Sequence, residues 1–263
     1  MRKLKSLLPK PMSSDPAMSN KFKIVIPARY GASRLPGKPL SDVAGKPMVE
    51  WVWRCAAEAE PEELLVATDD ERIRDVCVGF GAEVVMTSPE HPSGTDRLAE
   101  VAQLRQWADD VVVVNLQGDE PLTPAANIHR LVAACVQHPE AAMATLCEPL
   151  HPDEFSNPNA VKLVRDKRGF ALYFSRANIP FPRDGVTPDA QRHIGLYAYR
   201  GGFLRRFLQM EVSPLEGIER LEQLRALWHG ERIFVADAAE AMGPGIDTPE
   251  DLVRVTKILQ AKQ

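Results

Sequence analysis

VVVVNLQGDEP occupies residues 111–121. Its first six residues are a nearly unbroken β-branched run, the composition of a central strand covered on both faces. Gln117-Gly118-Asp119-Glu120-Pro121 then turns the chain out of the strand with two acids at the exit. A strand buried on both sides belongs to a parallel sheet, whose neighbouring strands are joined by crossover helices. Lys23–Ile26, Leu64–Ala67 and Glu83–Met86 read as such strands. Met48–Glu58, Glu71–Phe80 and Thr95–Trp107 carry apolar residues at helical spacing, for example Leu98, Val101 and Ala102. Asp69 or Asp70 caps the second helix, and Thr123-Pro124 opens a fourth. The alternation predicts an α/β fold, with a mostly parallel central sheet flanked by helices.

Past residue 142 the pattern loosens. Strands are expected at Ala142–Leu146, Val161–Val164, Ala171–Phe174 and Leu196–Tyr199, with a hairpin at Asp166–Gly169. Helices follow at Gly202–Met210 and Ile218–Trp228, then a strand at Ile233–Val235. A last helix opens on the capping-box-like Thr248-Pro249-Glu250-Asp251. The expectation is one domain over residues 22–263 with a β-rich insertion in its second half. Residues 1–21 read as a disordered tail, in which Met18 offers a second start.

Composition narrows the functions. The chain has 263 residues, with 36 acidic side chains against 32 Lys and Arg, a net charge of −4. That balance argues against non-specific binding of nucleic acid. No apolar run approaches the roughly 20 residues that span a bilayer, and Leu7-Leu8 is too short a centre for a secretion signal. No membrane partner and a cytoplasmic location are expected. Cys55, Cys77, Cys135 and Cys147 lack zinc-ligand spacing and read as free thiols, mostly buried.

The first strand runs into PARYGASRLPGKPL, residues 27–40, with Arg29, Arg34 and Lys38 in one loop. Ligands of open parallel sheets bind beyond the carboxyl ends of the strands. The loop is therefore either a polyphosphate site or a solvated basic turn. It is not a Walker A loop, because five residues separate Gly31 from Gly37 and Pro39 follows Lys38. Asp119 leaves the central strand at the same sheet edge, where it serves either an Asx turn or a magnesium ion beside phosphates. Asp247, in Gly245-Ile246-Asp247-Thr248-Pro249, has the same choice between metal binding and the electrostatics of a helix start.

The loop at 27–40, HPSGTDRLAEV (91–101), VVNLQGDEP (113–121), NPNAVKLV (157–164), ALYFSRANIP (171–180), HIGLYAYR (193–200), SPLEGIERLEQLR (213–225) and GIDTPEDL (245–252) occur in order. Together they resemble the 3-deoxy-manno-octulosonate cytidylyltransferase family over residues 22–259. The resemblance implies a nucleotide-diphospho-sugar transferase-like fold and transfer of CMP from CTP to the sugar acid Kdo. It also implies magnesium, a homodimer, and a role in lipopolysaccharide synthesis. Residues 142–200 would contribute to the sugar site and the dimer.

By motif, the resemblance implies that Arg29, Arg34 and Lys38 contact the CTP phosphates. Pro27, Ala28 and the Ser93-Gly94-Thr95 turn would frame cytosine and ribose, with Arg97 and Gln117 close by. Asp119 and Asp247 would bind magnesium, and with Lys38 they form the catalytic group. Arg176, Arg183, His193, Tyr197, Glu222 and Gln223 would hold the sugar, Arg176 being suited to its carboxylate. Without the resemblance, Arg176 also reads as a surface arginine, and His193 and Tyr197 as packing residues. No G-x-S-x-G nucleophile is present. The chemistry expected is in-line attack of the sugar 2-hydroxyl on the α-phosphorus, driven by positioning and charge neutralisation. A nucleotide sensor, or an enzyme for sialic acid or an 8-amino sugar, are the alternatives.

The stretch Asp184–Arg192 is short for the family, which bears on how the sugar pocket closes.

Overall fold

Val112–Asn115 is a strand with every residue buried (β6 in chain order). It pairs in parallel with β1 (Phe22–Pro27), which pairs in parallel with β4 (Glu63–Thr68), and β4 with β5 (Glu83–Met86). The computed structural model describes residues 22–31, 35–185 and 189–261, so the expected tail and Arg34 lie outside the described residues. The crossovers run through α1 (Met48–Ala57), α2 (Glu71–Gly79) and α3 (Gly94–Leu104). Asp70 caps α2 by accepting from the Arg72 backbone N–H. α4 (Ala125–Gln137) leaves the central strand's exit loop.

The second half extends the same sheet instead of forming a separate layer. β10 (Gln191–Arg200) lies antiparallel to β6, and β7 (Met143–Pro149) antiparallel to β10. β11 (Ile233–Asp237) runs parallel to β7, giving the order β11-β7-β10-β6-β1-β4-β5. The expected hairpin is β8 (Lys162–Arg165) with β9 (Ala171–Ser175), branching off β10. Two strands of two residues, β2 (Asp42–Val43) and β3 (Lys46–Pro47), pair with each other. Alternate residues of β1 divide between two cores, Ile24 and Ile26 with α1 and α4, Val25 with α3 and α5 (Gly201–Phe207). α8 (Pro249–Gln260) starts on the expected capping box and packs on Val43, Met48 and Ile246.

The helix expected over Ile218–Trp228 is broken. α6 (Pro214–Glu219) stops at Arg220, whose φ is +54°, and α7 (Gln223–Trp228) starts afresh. The cause is tertiary: Arg176 donates to the carbonyls of Glu219 (2.7 Å) and Arg220 (3.4 Å) and holds the break open. Cys77, Cys135 and Cys147 are buried free thiols, and Cys55 is half-buried. No helix among the described residues is long and apolar enough to cross a membrane.

Gly201 opens α5 where a Cβ would run into the Ala108 carbonyl oxygen. Gly201→Ala is expected to cost about 1–3 kcal/mol of stability, as overpacking does. It should appear as a lower urea midpoint at unchanged slope. An unmoved midpoint would mean that the junction yields.

Candidate active site

At the carboxyl end of β1, Ala28 N donates to Ala67 O at 2.9 Å. The loop that follows is closed by Gly37 N donating to Tyr30 O at 3.0 Å, with Gly37 left-handed at φ +70°. The Tyr30 ring lies beneath Gly37, and the Arg72 guanidinium stacks 3.4 Å from that ring's centre. This turn launches the 3-10 turn Lys38–Leu40 and buries the Lys38 stem. The Lys38 Nζ then sits 2.7 Å from Asp119 Oδ2 and 3.1 Å from Asp247 Oδ1. The two acid-bearing loops are themselves joined, Ile246 N donating to Asp119 O at 3.0 Å. Gly118 is required here because a Cβ would lie 2.9 Å from Pro27 O, where the ends of β1 and β6 approach.

Two cavities meet at this rim. A small one of about 230 Å³ is lined by Pro27, Ala28, Arg29, Lys38, Gln117 and Asp119 among others. A larger one of about 960 Å³ is lined by His193, Tyr197, Glu222 and Gln223, with Glu120, Arg192, Arg220 and Arg254. Gln117 and Asp247 line both. A magnesium ion fits the donor set, since two carboxylates converge on one point beside an open cavity and Mg²⁺ takes few protein oxygens plus phosphates.

A family profile described as "Cytidylyltransferase" matches residues 23–233. The 3-deoxy-manno-octulosonate cytidylyltransferase of Pseudomonas fluorescens is 53% identical, over 93% of this chain and 100% of that one. That of Vibrio vulnificus (strain YJ016) is 54% identical, over 92% and 99%. The chain belongs to the 3-deoxy-manno-octulosonate cytidylyltransferase family. As a member it is a nucleotidyltransferase. A solved CMP:2-keto-3-deoxy-manno-octonic acid synthetase complexed with CTP is 42% identical, with a TM-score of 0.86 over 92% of this chain and 100% of that chain. A 4-diphosphocytidyl-2C-methyl-D-erythritol synthase, 16% identical at TM-score 0.62, shares the fold.

Within this cytidylyltransferase the remaining expected residues divide. Ser93 caps α3, and its neighbour Gly94 packs behind two residues of the small cavity's wall, a Cβ there lying 3.5 Å from Pro27 Cγ and 3.7 Å from Gln117 Oε1, while neither Ser93 nor Gly94 is among the residues lining that cavity. Arg97 is not on the wall. It is buried, bonded to Thr87 and 3.2 Å from Asp69 Oδ1, tying the ends of β4 and β5 beneath the site. Arg176 is not among the described residues lining the larger cavity either. Besides its two α6-end carbonyls, it donates to Pro158 O at 2.9 Å, so three of its five N–H groups are bonded to the scaffold. Arg183 is exposed and is not among the described residues lining either cavity. Arg34 is not described.

Burial governs the protonation of the large cavity's wall. Glu120 is pushed up to about 8 by burial and by the neighbouring charges of Asp119 and Asp247, against Arg192 and Lys38. Burial raises Glu222, which accepts from Thr95 Oγ1 at 2.9 Å. His193 is driven down to about 3 by burial, with its Nε2 3.0 Å from Thr145 Oγ1 and its ring against Phe174 and Tyr197. It lines the larger cavity as a neutral imidazole.

That depression has a linkage consequence. An unfolded histidine protonates below about pH 6.5, whereas His193 resists to about 3. The unfolded chain therefore binds more protons across that window, and stability falls as pH falls through it. His193→Gln should be less acid-sensitive than the parent, by up to about 1.4 kcal/mol per pH unit below 6.5. Urea midpoints between neutral pH and pH 5 test this, and parallel pH slopes for the two proteins would refute it.

Sequence reasoning missed Glu120, Arg192, Arg254 and Lys162. Glu120 was hidden by its neighbour Asp119. Arg192 lies beside the assigned His193 and is paired with Glu148 at 2.8 Å. Lys162 is fully buried, donating to Asn157 O (2.9 Å) and Arg176 O (2.7 Å), and so braces the cavity wall from behind. A lysine inside NPNAVKLV was the available signal, because a buried ammonium needs fixed acceptors.

Proposed function

We propose that this chain transfers CMP from CTP to the anomeric 2-hydroxyl of 3-deoxy-D-manno-octulosonate (Kdo), releasing pyrophosphate for lipopolysaccharide synthesis. The observation that carries this reading is the pair of cavities sharing Gln117 and Asp247 beneath Lys38. A two-substrate displacement needs that arrangement: one site for each reactant and a charged rim between them. The nucleotide takes the smaller cavity, with Pro27, Ala28 and Gln117 near the base and Arg29 and Lys38 toward the phosphates. Asp119 and Asp247 hold magnesium, which neutralises phosphate charge when bound. The sugar takes the larger cavity.

Within it, the cations facing the Kdo carboxylate are Arg192, Arg220 and Arg254 rather than Arg176. His193, Tyr197 and Gln223 orient the hydroxyls, and Glu222 fixes the junction with the Ser93–Thr95 turn. Lys38 meets the phosphate charge that develops as pyrophosphate leaves. Its ammonium changes partner from the carboxylates to the phosphates as substrate and ion enter. The working form is a cytoplasmic homodimer in this reading.

The test is pyrophosphate release from CTP and magnesium with Kdo, its 8-amino form and sialic acid in parallel. Release that depends on Kdo, with kcat/KM highest for Kdo, supports the assignment. CTP binding without release for any sugar would instead favour a nucleotide sensor.

A further inference from the structure

Arg225 lines neither cavity, yet it is only 3% exposed and grips acids from two other elements. Its Nε and Nη2 donate to the two carboxylate oxygens of Glu216 at 2.8 and 2.7 Å. Its Nη1 donates to Asp96 Oδ1 at 3.2 Å. The other oxygen of Asp96 accepts from the Ser93 hydroxyl at 2.5 Å, and Asp96 N donates back to Ser93 Oγ at 3.2 Å. A second link lies alongside, where Thr95 Oγ1 donates to Glu222 Oε2 at 2.9 Å. The first turn of α3 and the start of α7 are thus joined twice.

What these links hold is the wall of the larger cavity. Glu222 and Gln223 line it, and the buried Gln223 Nε2 has no protein partner. Both follow the helix break at Arg220, and the Glu222 side chain does not cap the new helix. Arg176 fixes the carbonyls on the far side of the break. Arg225 fixes the near side, one turn beyond Glu222. A guanidinium suits this because its planar fork can meet two carboxylates in different directions at once, which a single ammonium cannot.

We propose that Arg225 is a positioning residue for the acceptor sugar. By tying α7 to the Ser93–Asp96 turn, it sets Glu222 and Gln223 at a fixed reach from the nucleotide. This rests on the reading that nucleotide and sugar divide between the two cavities as described above. It differs from a purely structural role in what it protects: sugar binding depends on it, whereas nucleotide binding does not.

The experiment compares Arg225→Lys with the parent in CTP affinity by calorimetry without sugar, in KM and kcat from Kdo-dependent pyrophosphate release, and in Tm. The expected result is a KM for Kdo raised at least about tenfold with the CTP Kd within about twofold. A KM for Kdo within twofold of the parent overturns the proposal. So does a CTP Kd that weakens in step with that KM, because Arg225 would then be supporting the whole fold. Should Arg225→Lys not fold, Glu216→Gln loosens the same fork while keeping the Asp96 pair. It should raise the KM for Kdo about threefold at unchanged CTP Kd, and an unchanged KM overturns the proposal. The parent protein separates the two readings. Kdo-dependent release by the parent, with no split in the variants, counts against Arg225 alone. No release by the parent removes the functional reading and this inference with it.

Discussion

Asp119→Asn is expected to lower kcat at least about 100-fold, or about 2.7 kcal/mol in barrier, while the protein stays folded. The amide keeps the shape of the carboxylate and can still accept from Lys38, which now donates to Asp119 at 2.7 Å. What is lost is one of two negative charges that converge on a single cation position. A second readout goes with it. Asp119 is one of the charges that raise Glu120 to about 8, so the Glu120 pKa should fall in the variant. Circular dichroism and thermal melting check the fold, and pyrophosphate release checks the rate. Near-parent turnover in a folded Asp119→Asn protein would sink the metal assignment.

Lys38→Met should be as damaging by a different route. It removes the cation that bridges Asp119 and Asp247, and with it the phosphate contact proposed for the small cavity. The two acids then lose the ammonium that both of them contact. A fall in kcat/KM for CTP of about 1000-fold is expected, the size seen when one fixed transition-state donor is deleted. Lys38→Arg should recover little of it. The side chain emerges from a 3-10 turn set by the left-handed Gly37, and it is nearly buried, so a longer planar head cannot occupy the same point. Initial rates over a range of CTP decide the matter, and either variant retaining more than about a tenth of parent kcat/KM would contradict the role.

The site was legible where chemistry and topology are local. The acids leaving β6, the cations leaving β1 and the capping box of α8 could be placed at one sheet edge because parallel strands present their carboxyl ends together. Motif resemblance alone said less about Arg97 and Arg176. Each was assigned to substrate from its motif, and each is bonded to scaffold groups, Arg97 to Thr87 and Asp69, Arg176 to three backbone carbonyls. An arginine in a binding motif has the same letter whether its fork meets a ligand or a carbonyl. Only the positions of distant segments distinguish the two.

By itself the sequence determined the parallel strands β1, β4, β5 and β6, their flanking helices, the family, and the candidate acids and cations of the rim. Periodicity, capping and strand-exit positions depend on neighbours within a few residues, and these are written in order along the chain. The tertiary structure decided that the second half joins the same sheet, that the helix over 218–228 breaks at Arg220, and that Arg192, Arg220 and Arg254 rather than Arg176 face the larger cavity. Those outcomes follow from contacts between segments far apart in sequence, such as Arg176 with Glu219 and Arg225 with Asp96. In the Arg225 pair a buried charge takes the partner the packing brings within reach, because leaving it unpaired costs more than any local preference is worth.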